Sequence, residues 1–152
     1  MDSIALSLAA LTGKDVKASR AALEKLRQES RSGPQIVRYL PEFFAMLDHP
    51  NSYVRTRGFL LIAANARWDT AGWIDSRLDQ CLALIQDEKP ITARQCIQAL
   101  PELAWAKPGL IAPIRAALEE ADAGRYPDSM RPLIERDIAQ ALAALAGGRR
   151  EG

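Results

Sequence analysis

The residues of this chain that could do chemistry are few and scattered. His49 is the lone histidine, and it sits in a turn, "DHPN". No serine, aspartate or second histidine is spaced with it as a triad or a metal set would require. Cys81 and Cys96 lie inside apolar stretches of helical period, which suits buried thiols better than ligands. A metal at these two would need further donors that the surrounding sequence does not offer. The adjacent carboxylates Glu119 and Glu120 point in different directions on a helix, so they read as a solvated face rather than an acid–base pair. No glycine-rich phosphate loop is present. These residue types predict no catalytic site, no metal and no cofactor.

A second group invites a binding reading instead. "RTRGFLLIAANARWD", residues 55–69, places arginines at both ends of a long apolar run that closes on Trp68 and Asp69. Glutamines recur at Gln95, Gln98 and Gln140. Whether these side chains share a surface depends on the elements that carry them.

Those elements read as helices throughout. No segment alternates apolar and polar residues over a strand length, and nearly all carry a 3.6-residue period broken at Pro, Gly and Asp/Asn signals. Eight helices are predicted, at 2–11, 15–30, 34–48, 51–67, 70–86, 90–105, 108–121 and 128–146. Pro34, Pro90 and Pro108 suit first helical turns. Asp69 or Thr70 offers a cap before the fifth helix. Pro41 and Pro101 fall inside predicted helices, where kinks are expected.

With 152 residues, 48% hydrophobic and 26% charged, the chain has ordinary globular composition. One domain over 1–146 is predicted, followed by a flexible tail at 147–152. The formal net charge is +1, and neither half is strongly basic: 11 Lys/Arg against 8 Asp/Glu in residues 1–77, then 9 against 11. That balance argues against nucleic acid as the partner. No stretch approaches the ~20 apolar residues of a membrane span, and no leader-like segment opens the chain, so a cytoplasmic location is predicted.

The helices repeat. Shifting the sequence by 39 residues lays Arg55 over Arg94, Leu61 over Leu100 and Asp48 over Asp87. A shift of 42 adds Arg136 to the arginine column and repeats "QAL" of 98–100 at 140–142, and a shift of 38 adds Lys17. Four helix pairs with a period of about 40 residues describe an α-solenoid. The pattern resembles HEAT repeats: an outer helix ending near Asp, a short turn, then "V-R" opening an inner helix, as in "LPEFFAMLDHPNSYVR" (40–55). "SYVRTRGFLLIAANARWD", "DEKPITARQCIQAL" and "DSMRPLIERDI" are similar to a family of small bacterial HEAT-like proteins sometimes filed under a Suf iron–sulfur assembly label, which no motif of this chain supports. The resemblance implies a right-handed, armadillo-type superhelix. It also implies a ladder in which Arg55 and Arg94 meet Asp48 and Asp87, with Arg136 as an outlying rung.

Inner-helix registers then sort the side chains. Counting the residue before each arginine as zero, registers 4, 7 and 11 form the core: Gly58, Leu61 and Asn65, then Ile97, Leu100 and Ala104. Asn65 is expected to bond a neighbouring backbone group. Arg57 flanks this core and is expected either to snorkel or to pair. Registers 2, 5 and 9 point to the groove: Thr56, Phe59 and Ala63; Gln95, Gln98 and Glu102; Asp137, Gln140 and Ala144. The groove of a solenoid is its usual binding surface. Phe59 is the predicted apolar anchor there, with Arg57, Arg67, Trp68, Gln95, Gln98 and Gln140 around it. The function this predicts is non-catalytic binding of a protein or peptide. The alternative is DNA binding. Some HEAT-like proteins are alkyl-base DNA glycosylases, which present tryptophans and an aspartate on a basic face, and Trp68, Asp69 and Trp73 resemble that set. The groove registers, however, are glutamine and acid, where a phosphate backbone needs cations.

Overall fold

The computed structural model describes residues 2–147, and every regular element among them is helical. In chain order the α-helices are α1 (Ser3–Leu11), α2 (Val16–Ser32), α3 (Leu40–Met46), α4 (Ser52–Asn65), α5 (Trp73–Ser76), α6 (Leu78–Leu82), α7 (Pro90–Ala106), α8 (Ile111–Glu120) and α9 (Arg131–Gly147). Short 3-10 turns fill several of the joints. None of the helices is long and apolar enough to cross a membrane. The predicted spans are recovered, with breaks. Residues 34–39 form a 3-10 turn, so Pro41 opens α3 instead of kinking a longer helix. Pro101 stays inside an unbroken α7. The predicted fifth helix divides into α5, α6 and a 3-10 turn, Ala83–Gln86. Of the predicted tail, Gly147 closes α9, and residues 148–152 lie outside the described residues.

The caps follow the chemistry of the turn residues. Asp2 accepts from the Ala5 amide at 2.8 Å, and Asp15 from the Ala18 amide at 3.1 Å. Asn51 accepts from Tyr53 N–H at 2.8 Å at the start of α4. Asp69 accepts from Trp73 N–H at 3.1 Å at the start of α5, the role its place in "WDT" predicted.

The chain divides into two compact units, Met1–Trp73 and Ile74–Gly152. In the first, α2, α3 and α4 pack together. Asn65 Nδ2 donates to Ser30 Oγ at 2.9 Å, tying the C-terminal ends of α4 and α2. Because these two helices also pack along each other, they run parallel. Trp68 Nε1–H reinforces that end by donating to the Ser30 carbonyl at 2.6 Å. Gly58 sets the approach of α3 to α4. A Cβ there would lie 2.8 Å from both the Phe43 carbonyl oxygen and Met46 Cβ, so only glycine fits without movement.

In the second unit, α7 packs on α9, and α8 packs on both. Arg94 and Asp137, each in the first half of its helix, form an ion pair that ties α7 to α9. The connecting loops are also tied. Asp122 N–H donates to Gln86 Oε1 at 2.8 Å, and the buried Tyr126 hydroxyl donates to the Asp87 carbonyl at 2.7 Å. Long-range side-chain bonds join residues 35, 38 and 46 apart in the first unit and 32, 36, 39 and 43 apart in the second.

Candidate functional site

The predicted core registers are buried. Leu61, Asn65, Ile97, Leu100 and Ala104 are wholly enclosed, and Gly58 is buried with them. Asn65 spends its amide as expected, donating to the Leu61 carbonyl at 2.8 Å as well as to Ser30. The groove registers behave differently on different helices. On α7 and α9 the glutamines are placed as read: Gln95, Gln98 and Gln140 are exposed, Glu102 and Ala144 are half-buried, and Asp137 is buried. On α4 the registers fail. Phe59 is 0% exposed, and Thr56 and Ala63 are buried too. Phe59 is therefore a core residue and no groove anchor. The cause lies in α4 itself, where every residue from Val54 to Asn65 except Arg57 is buried. The run "FLLIAA" leaves the helix with no polar face, and a helix that is apolar all round is buried all round.

The arginines are scaffold in both units, with one partner reassigned. Arg55 is buried, and its Nη1 donates to the carbonyls of His49 at 2.9 Å and Pro50 at 3.2 Å, stitching the turn before α4 to the helix. Asp48 beside that turn is exposed. Arg94 meets Asp137, not Asp87: Nε to Oδ2 is 2.6 Å, and Nη2 reaches Oδ1 at 3.4 Å. Asp137 is only 4% exposed, whereas its register predicted a groove-facing carboxylate. The two-point geometry explains why a charge is tolerated there, because a guanidinium satisfies both carboxylate oxygens. Asp137 in turn holds the Arg94 guanidinium above its ordinary pKa through this hydrogen bond. Asp87 accepts from Lys89 N–H at 2.9 Å at the entrance to α7. Arg136 is exposed and, among the described residues, makes no rung.

Arg57 resolves a choice that its register left open. It is half-buried, and its Nη1 donates to the Leu11 carbonyl at 2.8 Å. It thus caps the C-terminal end of α1, where a cation also suits the helix dipole. Burial pulls its pKa below the ordinary value, and the charge of Arg20 adds to that. Arg67 is exposed. Trp68 is half-buried and committed to Ser30 through its indole N–H.

One arrangement remains that presents polar side chains outward on a fixed base. Gln95 and Gln98 on α7 and Gln140 on α9 are exposed. Beneath them, Gln98 Nε2 donates to Asp137 Oδ1 at 3.3 Å, so the Arg94–Asp137 pair anchors one of the three amides. Asp137 is the residue whose role the register misread: it is buried against Arg94 and does not face outward.

A separate cavity of about 250 Å³ in the first unit is lined by Trp68, Asp69, Trp73 and Arg38, among others. Its walls already have partners. Trp73 packs its ring against Phe44 with centroids 6.1 Å apart, and Arg38 donates to the Tyr39 hydroxyl at 2.8 Å. Among the described residues, no group of three His, Cys, Asp or Glu side chains is placed to hold a metal ion.

Compared with protein-family models, curated proteins and solved structures, the chain has no match. The architecture defines the class as all-α.

Proposed function

We propose that this is a non-catalytic binding protein, a HEAT-like α-solenoid that holds a protein or peptide segment on the amide-bearing face of α7 and α9. The observation that carries the reading is the exposed set Gln95, Gln98 and Gln140 above the part-buried Arg94–Asp137 pair. A glutamine amide offers both donors and an acceptor, the complement of a peptide backbone. Gln98, held by this pair, loses less rotamer freedom on binding than a free side chain would. The packed pairs α2/α4 and α7/α9, each tied by a long-range side-chain bond, support the repeat architecture. Selecting peptides from a random displayed library against the whole chain tests the reading. Selected peptides should lose about tenfold or more in affinity on the variant Gln95→Ala/Gln98→Ala/Gln140→Ala, the size of a small hot spot. Unchanged affinity on that variant would refute it.

Duplex DNA is the second reading, favoured by the gathering of Trp68, Asp69, Trp73 and Arg38 around one cavity. It requires a mobility shift with duplex DNA that weakens steeply as salt rises. The peptide reading requires none at physiological salt.

A further inference from the structure

A groove between the end of α8 and α9 takes no part in the amide face. It is a shallow, open depression of about 650 Å³. Its apolar floor is Leu118, Ile138 and Leu142, and its rim carries the carboxylates of Glu119, Asp122 and Glu135. On α9, Glu135, Ile138, Ala139 and Leu142 are spaced i, i+3, i+4 and i+7, so they form one continuous strip of the helix. Leu118 is buried at the bottom, while Ile138 and Leu142 keep part of their surface open. All three carboxylates are exposed, and no lysine or arginine lines the groove. Among the described residues none of the three is in an ion pair. This concentration of negative charge stands out in a chain whose formal net charge is +1.

We propose that this groove docks a basic amphipathic helix of a protein partner. The strip supplies what such a helix lacks in water, an apolar trough for side chains at i, i+3, i+4 and i+7. The rim selects for lysine or arginine beside those side chains, since unpaired carboxylates attract cations and repel acidic partners. The same rim excludes nucleic acid and anionic membrane surfaces, both of which present phosphate. The site is independent of the amide face: Gln140 follows Ile138 by two residues and so does not share its side of α9.

The test uses the whole chain and two dye-labelled peptides. One is a short amphipathic helix of leucine and lysine, and its sibling has every lysine replaced by glutamate. In fluorescence anisotropy the lysine peptide should bind saturably at micromolar concentration, and the glutamate peptide should not. Glu119→Lys/Glu135→Lys should weaken the lysine peptide about tenfold or more, as should added salt. Both positions are exposed, so the variant is expected to fold, and its thermal melt checks this. Leu142→Asp should weaken binding through the floor. Charge reversal elsewhere, at Glu24→Lys and Asp79→Lys, should leave it unchanged. Equal binding of the two peptides, no saturable binding of either, or indifference to Glu119→Lys/Glu135→Lys would each overturn the proposal. So would a loss of binding in Gln95→Ala/Gln98→Ala/Gln140→Ala, which would place the helix on the amide face.

Discussion

Arg94 Nε lies 2.6 Å from Asp137 Oδ2, and this pair joins two helices 43 residues apart in sequence. The carboxylate is buried and the guanidinium about a quarter exposed. Removing either partner leaves the other with an unmet hydrogen-bonding need in a partly dry place. Arg94→Ala and Asp137→Ala should each cost about 2 kcal/mol of unfolding free energy, below the range for a fully buried pair because Arg94 keeps some water. The double variant should cost less than the sum by about 1 kcal/mol or more. Strict additivity in denaturant titrations would mean the pair is not coupled.

Phe59→Ala should cost about 3–5 kcal/mol, the value for truncating an enclosed phenylalanine. The site cannot collapse easily, because the residues around it on α4 are buried as well. A loss under about 1 kcal/mol in a urea melt would place the ring at the surface.

Gly58→Ala tests the close approach of α3 and α4. The added methyl meets a backbone carbonyl and a Cβ, neither of which can rotate away. The expected loss is about 1–3 kcal/mol, from overpacking rather than from helix propensity, which would favour alanine. A gain in melting temperature would contradict the packing described for these helices.

How far the sequence revealed this structure depends on the helix. On α7 the alternation of Ile97, Leu100 and Ala104 with Gln95 and Gln98 has a clear 3.6 period, and every one of those positions is placed as read. The same template carried to α4 misplaced Phe59, because a helix without a polar face gives periodicity nothing to register. The arginine column located Arg55 and Arg94 as structural residues, but it did not name Asp137 as the partner of Arg94. Tertiary pairing with Asp137 depends on how α9 is set against α7, which local pattern does not encode. The acidic groove went unread for a similar reason: its rim comes from α8, a loop and α9, and only packing brings them together.

Cys81 gives a chemical check on the second unit. Burial pushes its thiol up to about 12, so at pH 8 it stays protonated and is a poor nucleophile. Cys96 is likewise enclosed. Iodoacetamide at pH 8 should leave both unmodified in the native protein, as read by intact mass, and should modify both in concentrated urea. Rapid native labelling would show that these helices open readily.

The central claim is that α7 and α9 present a partner surface built on the amides of Gln95, Gln98 and Gln140. Backbone amide chemical shifts of the labelled protein, followed as a selected peptide is titrated in, test it most directly. The largest perturbations should fall on residues 94–102 and 136–144 and saturate together with a single dissociation constant. Perturbations confined to Trp68–Trp73, or spread evenly over both units with none on α7 and α9, would contradict it.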